Sequence, residues 1–182
     1  MITRLDLRHF KCFELLKLPL APLTLLSGTN ASGKSSILQA IVLLNQTLRE
    51  HEWSTRLMLN GPILELGTVF DVIDQTNGRR EFELGMVCED ETYEWRFSGD
   101  RKEMSMAVER VTVGGTPYEQ PTRLRYLLPT DATGNAPSLA LRLLGLTYLT
   151  AERLGPRESY PLNDPQATTV VGSRGEHAVG LL

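Results

Sequence analysis

Hydrophobic and polar positions change their period several times along the chain, and each change predicts an element. Residues 2–7 and 10–18 mix apolar and polar positions, with alternation at Leu5 and Leu7 and a stop at Pro19, which predicts the two strands of a hairpin. Pro22 leads into Leu23-Thr24-Leu25-Leu26, a short apolar run ended by Gly28. Such a run predicts a strand buried on both faces. From Ser36 to about Arg49 the period becomes helical: Ile37, Ile41, Leu44 and Leu48 recur at spacings of four, three and four. Leu38 and Val42 lie on an adjoining face, so this helix should be buried rather than half-wetted.

Alternation then returns. Asn60-Gly61-Pro62 marks a turn and Asn77-Gly78 a hairpin. Residues 81–87, 93–97 and 104–113 read as strands separated by turns, so 62–113 predicts an antiparallel β-rich lobe, extending to about residue 128, packed beside the core sheet. Ser138 is placed to cap a short helix through Leu144, ended by Gly145, and 146–150 reads as a core strand. Residues 155–180 are rich in Pro, Gly, Asn and Asp and predict a loop-rich, poorly ordered end.

Composition narrows the class without naming it. The 182 residues are 41% hydrophobic and 23% charged, which fits a globular domain and excludes disordered and fibrous classes. No apolar run approaches the ~18 residues of a membrane helix, and residues 1–10 lack the apolar stretch of a signal peptide. A net charge of −3 excludes a generally basic coat for nucleic acid. Cys12 and Cys88 form no CxxC, which points to reduced thiols and a cytoplasmic setting.

The chemistry sits at Gly28-Thr29-Asn30-Ala31-Ser32-Gly33-Lys34-Ser35, which fits the phosphate-binding pattern GxxxxGK[ST]. Gly28 and Gly33 let the backbone curl so that successive amides point at phosphate oxygens. The following helix turns its positive end to the anion. Lys34 can reach the β- and γ-phosphates, and the Ser35 hydroxyl can ligate Mg²⁺, a cation that prefers oxygen. A predicted buried strand before the loop and a long helix after it supply the context the pattern needs.

The chain resembles the ABC-type ATPases of the SMC, RecF and OLD group. The likeness begins at Leu5-Asp6-Leu7-Arg8-His9-Phe10-Lys11-Cys12-Phe13, with His9 where Asn is usual. It continues through Gly28 to Ser36, where Ala31 replaces the commoner Gly. Leu59-Asn60-Gly61, Leu66-Gly67, the run from Tyr148 to Arg157, Val171-Gly172 and Gly175-Glu176 are similar to a narrower branch of bacterial AAA/OLD-like ATPases. The resemblance implies an α/β P-loop NTPase fold of the ABC-type head, of which this chain is the N-terminal half, with a mixed core sheet. It implies ATP and Mg²⁺ as cofactors. Gly28, Asn30, Ala31, Ser32, Gly33, Lys34, Ser35 and Ser36 would hold the nucleotide, Lys34 would act on the transferred phosphoryl group, and Lys11 would approach the phosphates or adenine.

Some parts of such a head have no match here. Residues 146–152 end in Glu152 but lack the Asp that holds Mg²⁺; Ser173-Arg174-Gly175-Glu176 and Val69-Phe70-Asp71 are poor stand-ins for a signature loop and a catalytic strand. Hydrolysis is therefore expected only with a C-terminal half of the head and a second head closing an ATP sandwich in a homodimer. Glu152, Arg153 and Arg157 follow the predicted strand where a γ-phosphate sensor would lie, but without its Gln. Arg79-Arg80 and Arg123/Arg125 read as scattered surface charge rather than a DNA contact, and Trp53, Trp95 and Tyr93 as packing residues. His9, His51 and His177 are too dispersed for a metal site. A transporter subunit is disfavoured because residues 16–22 hold no aromatic to stack on adenine. A nucleotide-gated scaffold with negligible turnover and the ATPase part of a DNA-cleaving OLD-type nuclease remain as alternatives.

Overall fold

The computed structural model describes residues 1–74, 79–132 and 136–151. They fall into two units, Met1–Leu144 and the start of Gly145–Leu182. The first unit is built on β1 (Ile2–Phe10) and β2 (Phe13–Pro19), helix α1 (Lys34–Glu50), the short β3 (Arg56–Met58) and α2 (Val69–Val72). The long strands β4 (Glu81–Cys88), β5 (Glu91–Ser98) and β6 (Ser105–Val113) follow, with β7 (Thr116–Glu119), the small hairpin β8 (Leu124–Arg125) and β9 (Leu128–Pro129), and helix α3 (Ala136–Leu144).

One sheet runs in the order β2-β1-β4-β5-β6-β3, with β7 also paired to β6. The β1–β2 hairpin is therefore continuous with the β-rich lobe rather than part of a separate core sheet. Every pair in this sheet is antiparallel. The mixed core sheet expected from the sequence is thus corrected for the described residues. Leu23-Thr24-Leu25-Leu26 forms no strand, and Leu23 and Leu25 are 88% and 87% exposed. The apolar run has the composition of a strand, but a strand exists only where a neighbour takes its N–H and C=O groups. Residues 146–150, expected as a core strand, likewise form no strand. The hairpin signal at Asn77-Gly78 and the loop-rich end at 155–180 lie outside the described residues.

Alternation explains the sheet's two faces. Leu5 and Leu7 of β1, Phe82, Leu84 and Met86 of β4, and Tyr93, Trp95 and Phe97 of β5 are buried in one core cluster. Phe10, Phe82 and Phe97 pack as tilted rings across three strands, with centroids 5.1 Å apart in each step. The other face is charged, and Glu83 there accepts from Arg96 at 2.6 Å and lies 3.5 Å from Arg8 on the opposite neighbour. In β6 the alternation changes phase: Met106 and Val108 are buried, then Val111 and Val113. A register shift opposite Arg96/Phe97 absorbs the extra residue, so all four still reach the core.

Helix α1 packs with Ile37, Ala40, Leu43, Leu44 and Leu48 in the same core. Three consecutive polar residues near its end are also buried. Asn45 donates to the Leu143 carbonyl of α3 (2.6 Å), Gln46 accepts from the Leu64 amide (3.0 Å), and Thr47 Oγ1 accepts from the Met58 amide (3.1 Å). Each buried polar group thus has a partner and fixes a different segment to the helix. Helix α3 begins at Ala136, so Ser138 is not its cap but lies inside it, its hydroxyl 3.2 Å from Glu89. Cys12 and Cys88 are both free thiols, as expected.

Tyr93 gives a testable pH dependence. Its ring is buried, its hydroxyl donates to Glu91 Oε2 at 2.6 Å, and burial followed by that carboxylate holds its pKa well above the ordinary phenol value. A raised folded-state pKa contributes stability below the unfolded value of about 10, and that contribution is lost as pH rises through the folded one. The stability advantage of wild type over Tyr93→Phe should therefore shrink between pH 8 and pH 11. Urea midpoints at both values check it; a constant difference would mean the phenol ionises alike in both states.

Candidate nucleotide site

The loop between residues 28 and 35 joins an exposed, unpaired segment to the first turn of α1. Gly33 occupies the N-cap of that helix with φ +89°, and no side chain caps the helix. The first turn carries no acidic residue. The first amides of a helix have no intrahelical acceptor, so this end presents unsatisfied donors and the positive end of the helix dipole. A helix that ends in such a way is suited to an anion.

Gly33 is required twice. Its φ lies in the left-handed region, which side chains disfavour. A Cβ there would also sit 2.5 Å from Phe13 Cζ and 2.7 Å from Cys12 Sγ. The tip of the β1–β2 hairpin is thus seated directly on the loop. At Gly28 a Cβ would come 2.9 Å from Ser32 Oγ, so the loop also closes tightly on itself.

Ala31, the departure from the commoner glycine, has φ +63°. The position calls for left-handed backbone, and alanine holds it at a cost of roughly 1 kcal/mol. Ala31→Gly should raise stability by up to about 1 kcal/mol, a rise of ~2–4 °C in Tm, because strain relief outweighs the added chain entropy. Calorimetric melting is the check; a lower Tm would show that the alanine is unstrained.

Lys34 folds back over the loop. Its ammonium donates to the carbonyls of Gly28 (2.9 Å) and Thr29 (2.5 Å) and lies 3.3 Å from Ser32 Oγ. These bonds hold the charge against the curl of the backbone. Asn30, Ala31 and Ser32 are exposed along the loop; Ser35 is exposed and Ser36 half-buried in the first turn of α1. Gly28, Asn30, Ala31, Ser32 and Ser35 are thus exposed along one loop, with Lys34 and Ser36 half-buried and Gly33 buried against Phe13 and Cys12. Ser35 Oγ is the candidate Mg²⁺ ligand among them.

Lys11 stands at the hairpin tip with φ +51°. Its amide donates to the Val72 carbonyl (2.7 Å), and its ammonium donates to Gln39 Oε1 on α1 (2.7 Å). Burial lowers its pKa, and the Asp71 carboxylate works against that shift. Asp71 is held by the capping box of α2: its Oδ2 accepts from the Thr68 amide and hydroxyl, both at 2.8 Å. Those two bonds lower the Asp71 pKa. Lys11 is thus tied to the P-loop helix five residues beyond Lys34.

Two motifs without an assigned chemistry acquire a structural one. The Asn60 side chain donates to the Gly67 carbonyl and accepts from the Gly67 amide, both at 2.8 Å, so it clamps the two ends of the loop between them. Gln46 of α1 holds the same loop at Leu64. The loop leads straight into α2 and Asp71. Sequence reasoning missed Gln39 and Gln46; the signal for Gln46 was the polar run Asn45-Gln46-Thr47 on an otherwise apolar helix, while Asp71, weighed only as part of a poor stand-in for a catalytic strand, instead caps α2. His9 lies against Arg79, and burial, then that guanidinium, lowers its pKa. Among the described residues no group of three or more His, Cys, Asp or Glu side chains is placed to hold a metal ion. Glu152, Arg153 and Arg157 lie outside the described residues. Tyr93 and Trp95 are core residues as expected, but Trp53 is 55% exposed.

The P-loop and the α/β architecture around it fit a P-loop NTPase. Residues 1–134 match the AAA ATPase domain, and the chain belongs to that family. Over 44 residues it is also 48% identical to an OLD nuclease of Thermus scotoductus. That match covers 24% of this chain and 8% of the nuclease. Among the described residues no helix is long and apolar enough to cross a membrane.

Proposed function

We propose that the chain binds Mg-ATP through residues 28–36, as the N-terminal part of an ATPase head of the SMC, RecF and OLD type. The observation that carries this reading is the uncapped start of α1 behind a left-handed Gly33, with Lys34 folded over the loop. Membership of the AAA ATPase domain family supports it. Backbone amides would bind the phosphates, Lys34 would neutralise charge on the β- and γ-phosphoryl oxygens, and Ser35 would hold Mg²⁺. Hydrolysis would require a carboxylate to hold the metal shell and orient water, supplied by a C-terminal half of the head, and a second head to close over the nucleotide.

Calorimetric titration of Mg-ATP into wild type, Lys34→Ala and Ser35→Ala tests this. Lys34→Ala should weaken binding at least about tenfold, since a charge-assisted contact is worth ~1.5–3 kcal/mol. Ser35→Ala should lose the benefit of Mg²⁺ while keeping metal-free binding. Equal affinities in wild type and Lys34→Ala would end the assignment.

A second reading draws on the 44-residue match: the chain would be the ATPase part of an OLD-type nuclease acting on DNA. Mg²⁺-dependent cleavage of plasmid DNA by the longer gene product, if one is encoded, distinguishes it from an ATPase head alone.

A further inference from the structure

We propose that Trp53, Arg123 and Arg125 form a stacking platform for single-stranded nucleic acid, separate from the phosphate loop. Trp53 is 55% exposed, although indole is the largest side chain and the sequence pattern assigns it to packing. Two exposed guanidinium groups lie over its ring, Arg123 at 5.4 Å and Arg125 at 5.6 Å from the centroid. Arg125 also lies 5.2 Å from the centre of the Tyr126 ring. The surface thus alternates indole, guanidinium and phenol.

The support beneath this surface is rigid. Tyr126 and Leu127 form the two-residue turn between β8 and β9 with φ +54° and +57°. Such a turn is normally made by Asn-Gly, because both central residues are left-handed. Here the strained backbone is held at three points. The Tyr126 amide donates to the Glu52 carbonyl (2.7 Å), the buried Trp95 indole donates to the Leu127 carbonyl (2.7 Å), and Leu127 is fully buried. Glu52, next to Trp53, also pairs with Arg125 at 2.8 Å. Backbone strain fixed from below, with aromatic and cationic groups presented above, marks a place where side-chain position is specified.

The partner follows from the chemistry. Glu52 neutralises Arg125 in part, and among the described residues no ion pair engages Arg123. An exposed cation–π contact is weak, so a phosphate can draw Arg123 from the ring and a base can take the indole face. Aromatic faces combined with cations are the means by which single strands are held, since unpaired bases offer a π-face and a phosphate at each step. A duplex hides its base faces and would leave Trp53 unused.

The chain's two tryptophans make the test direct. Trp95 is 1% exposed, so quenching by a ligand reports Trp53. Fifteen-residue oligothymidylate and oligouridylate are titrated at low salt, and affinity is followed by anisotropy of the labelled strand. Saturable quenching is expected. Trp53→Leu should abolish it and weaken binding by about 10- to 100-fold. Arg123→Gln should reduce the slope of log affinity against log salt by about 0.7. Both variants should keep the wild-type Tm, because both side chains are exposed. No binding, or binding that Trp53→Leu leaves unchanged, would overturn the proposal. So would equal quenching by ATP alone in Lys34→Ala, which would make this a mononucleotide site. Single-strand binding should persist in Lys34→Ala, so the platform and the phosphate loop can fail separately.

Discussion

Gly33→Ala is expected to lower Mg-ATP affinity by at least about 100-fold while the sheet remains folded. The new Cβ meets Phe13 and Cys12 at 2.5 and 2.7 Å, and the residue must also hold φ +89°. Either the hairpin tip retreats or the loop changes its curl. In both cases the amides at the start of α1 no longer converge, and losing two charge-assisted bonds of ~1.5–3 kcal/mol each gives the stated factor. The Phe10–Phe13 pair beside the tip would adjust, whereas the rest of the β1–β2 register, from Arg4 to Arg8, and the β1–β4 ladder lie farther along the strands and should persist. Calorimetry for affinity and circular dichroism for the melt are the measurements. Wild-type affinity would show that the loop binds no phosphate through these amides; loss of the fold would place Gly33 in the stability core instead.

Much of the arrangement could be read from residue order. The period of four, three and four from Ile37 to Leu48 predicts α1, and the alternation in 81–87, 93–97 and 104–113 predicts β4, β5 and β6 within a few residues. These succeed because burial on one face dictates the period. The tight loop at residues 28–35 that leads into α1 is equally legible, since glycines at both ends and the helical period after it mark the turn. What failed has a common cause. Leu23-Thr24-Leu25-Leu26 and residues 146–150 have strand composition but form no strand among the described residues, and composition alone cannot report which segments pair into a ladder. The seat of Cys12 and Phe13 on Gly33 and the bond from Lys11 to Gln39 join residues about twenty to thirty apart, which no local pattern records. Trp53 was misread because hydrophobicity predicts burial only on average, and exposed aromatics are the informative exceptions.

The run at residues 23–26, which joins no strand among the described residues, also decides what this chain can do with ATP by itself. In a P-loop ATPase the acid that completes the Mg²⁺ shell is delivered at the end of a strand in the same sheet as the strand before the loop. Here the segment before the loop pairs with no strand among the described residues, so no described strand end delivers a carboxylate beside Ser35. Asp71 is already committed to Thr68. Phosphoryl transfer depends almost wholly on positioning and electrostatic stabilisation, and a loop with one lysine supplies only part of either. The 182-residue chain should therefore release phosphate from ATP at the rate of Lys34→Ala, that is, at background. Leu23 and Leu25 should at the same time promote self-association, which Leu23→Ser/Leu25→Ser would relieve without lowering Tm, since both side chains are already in water. A malachite-green assay on the gel-filtered monomer decides the first point. Sustained turnover that disappears in Lys34→Ala would mean that a catalytic acid is present after all, and Glu152 would be the first residue to replace.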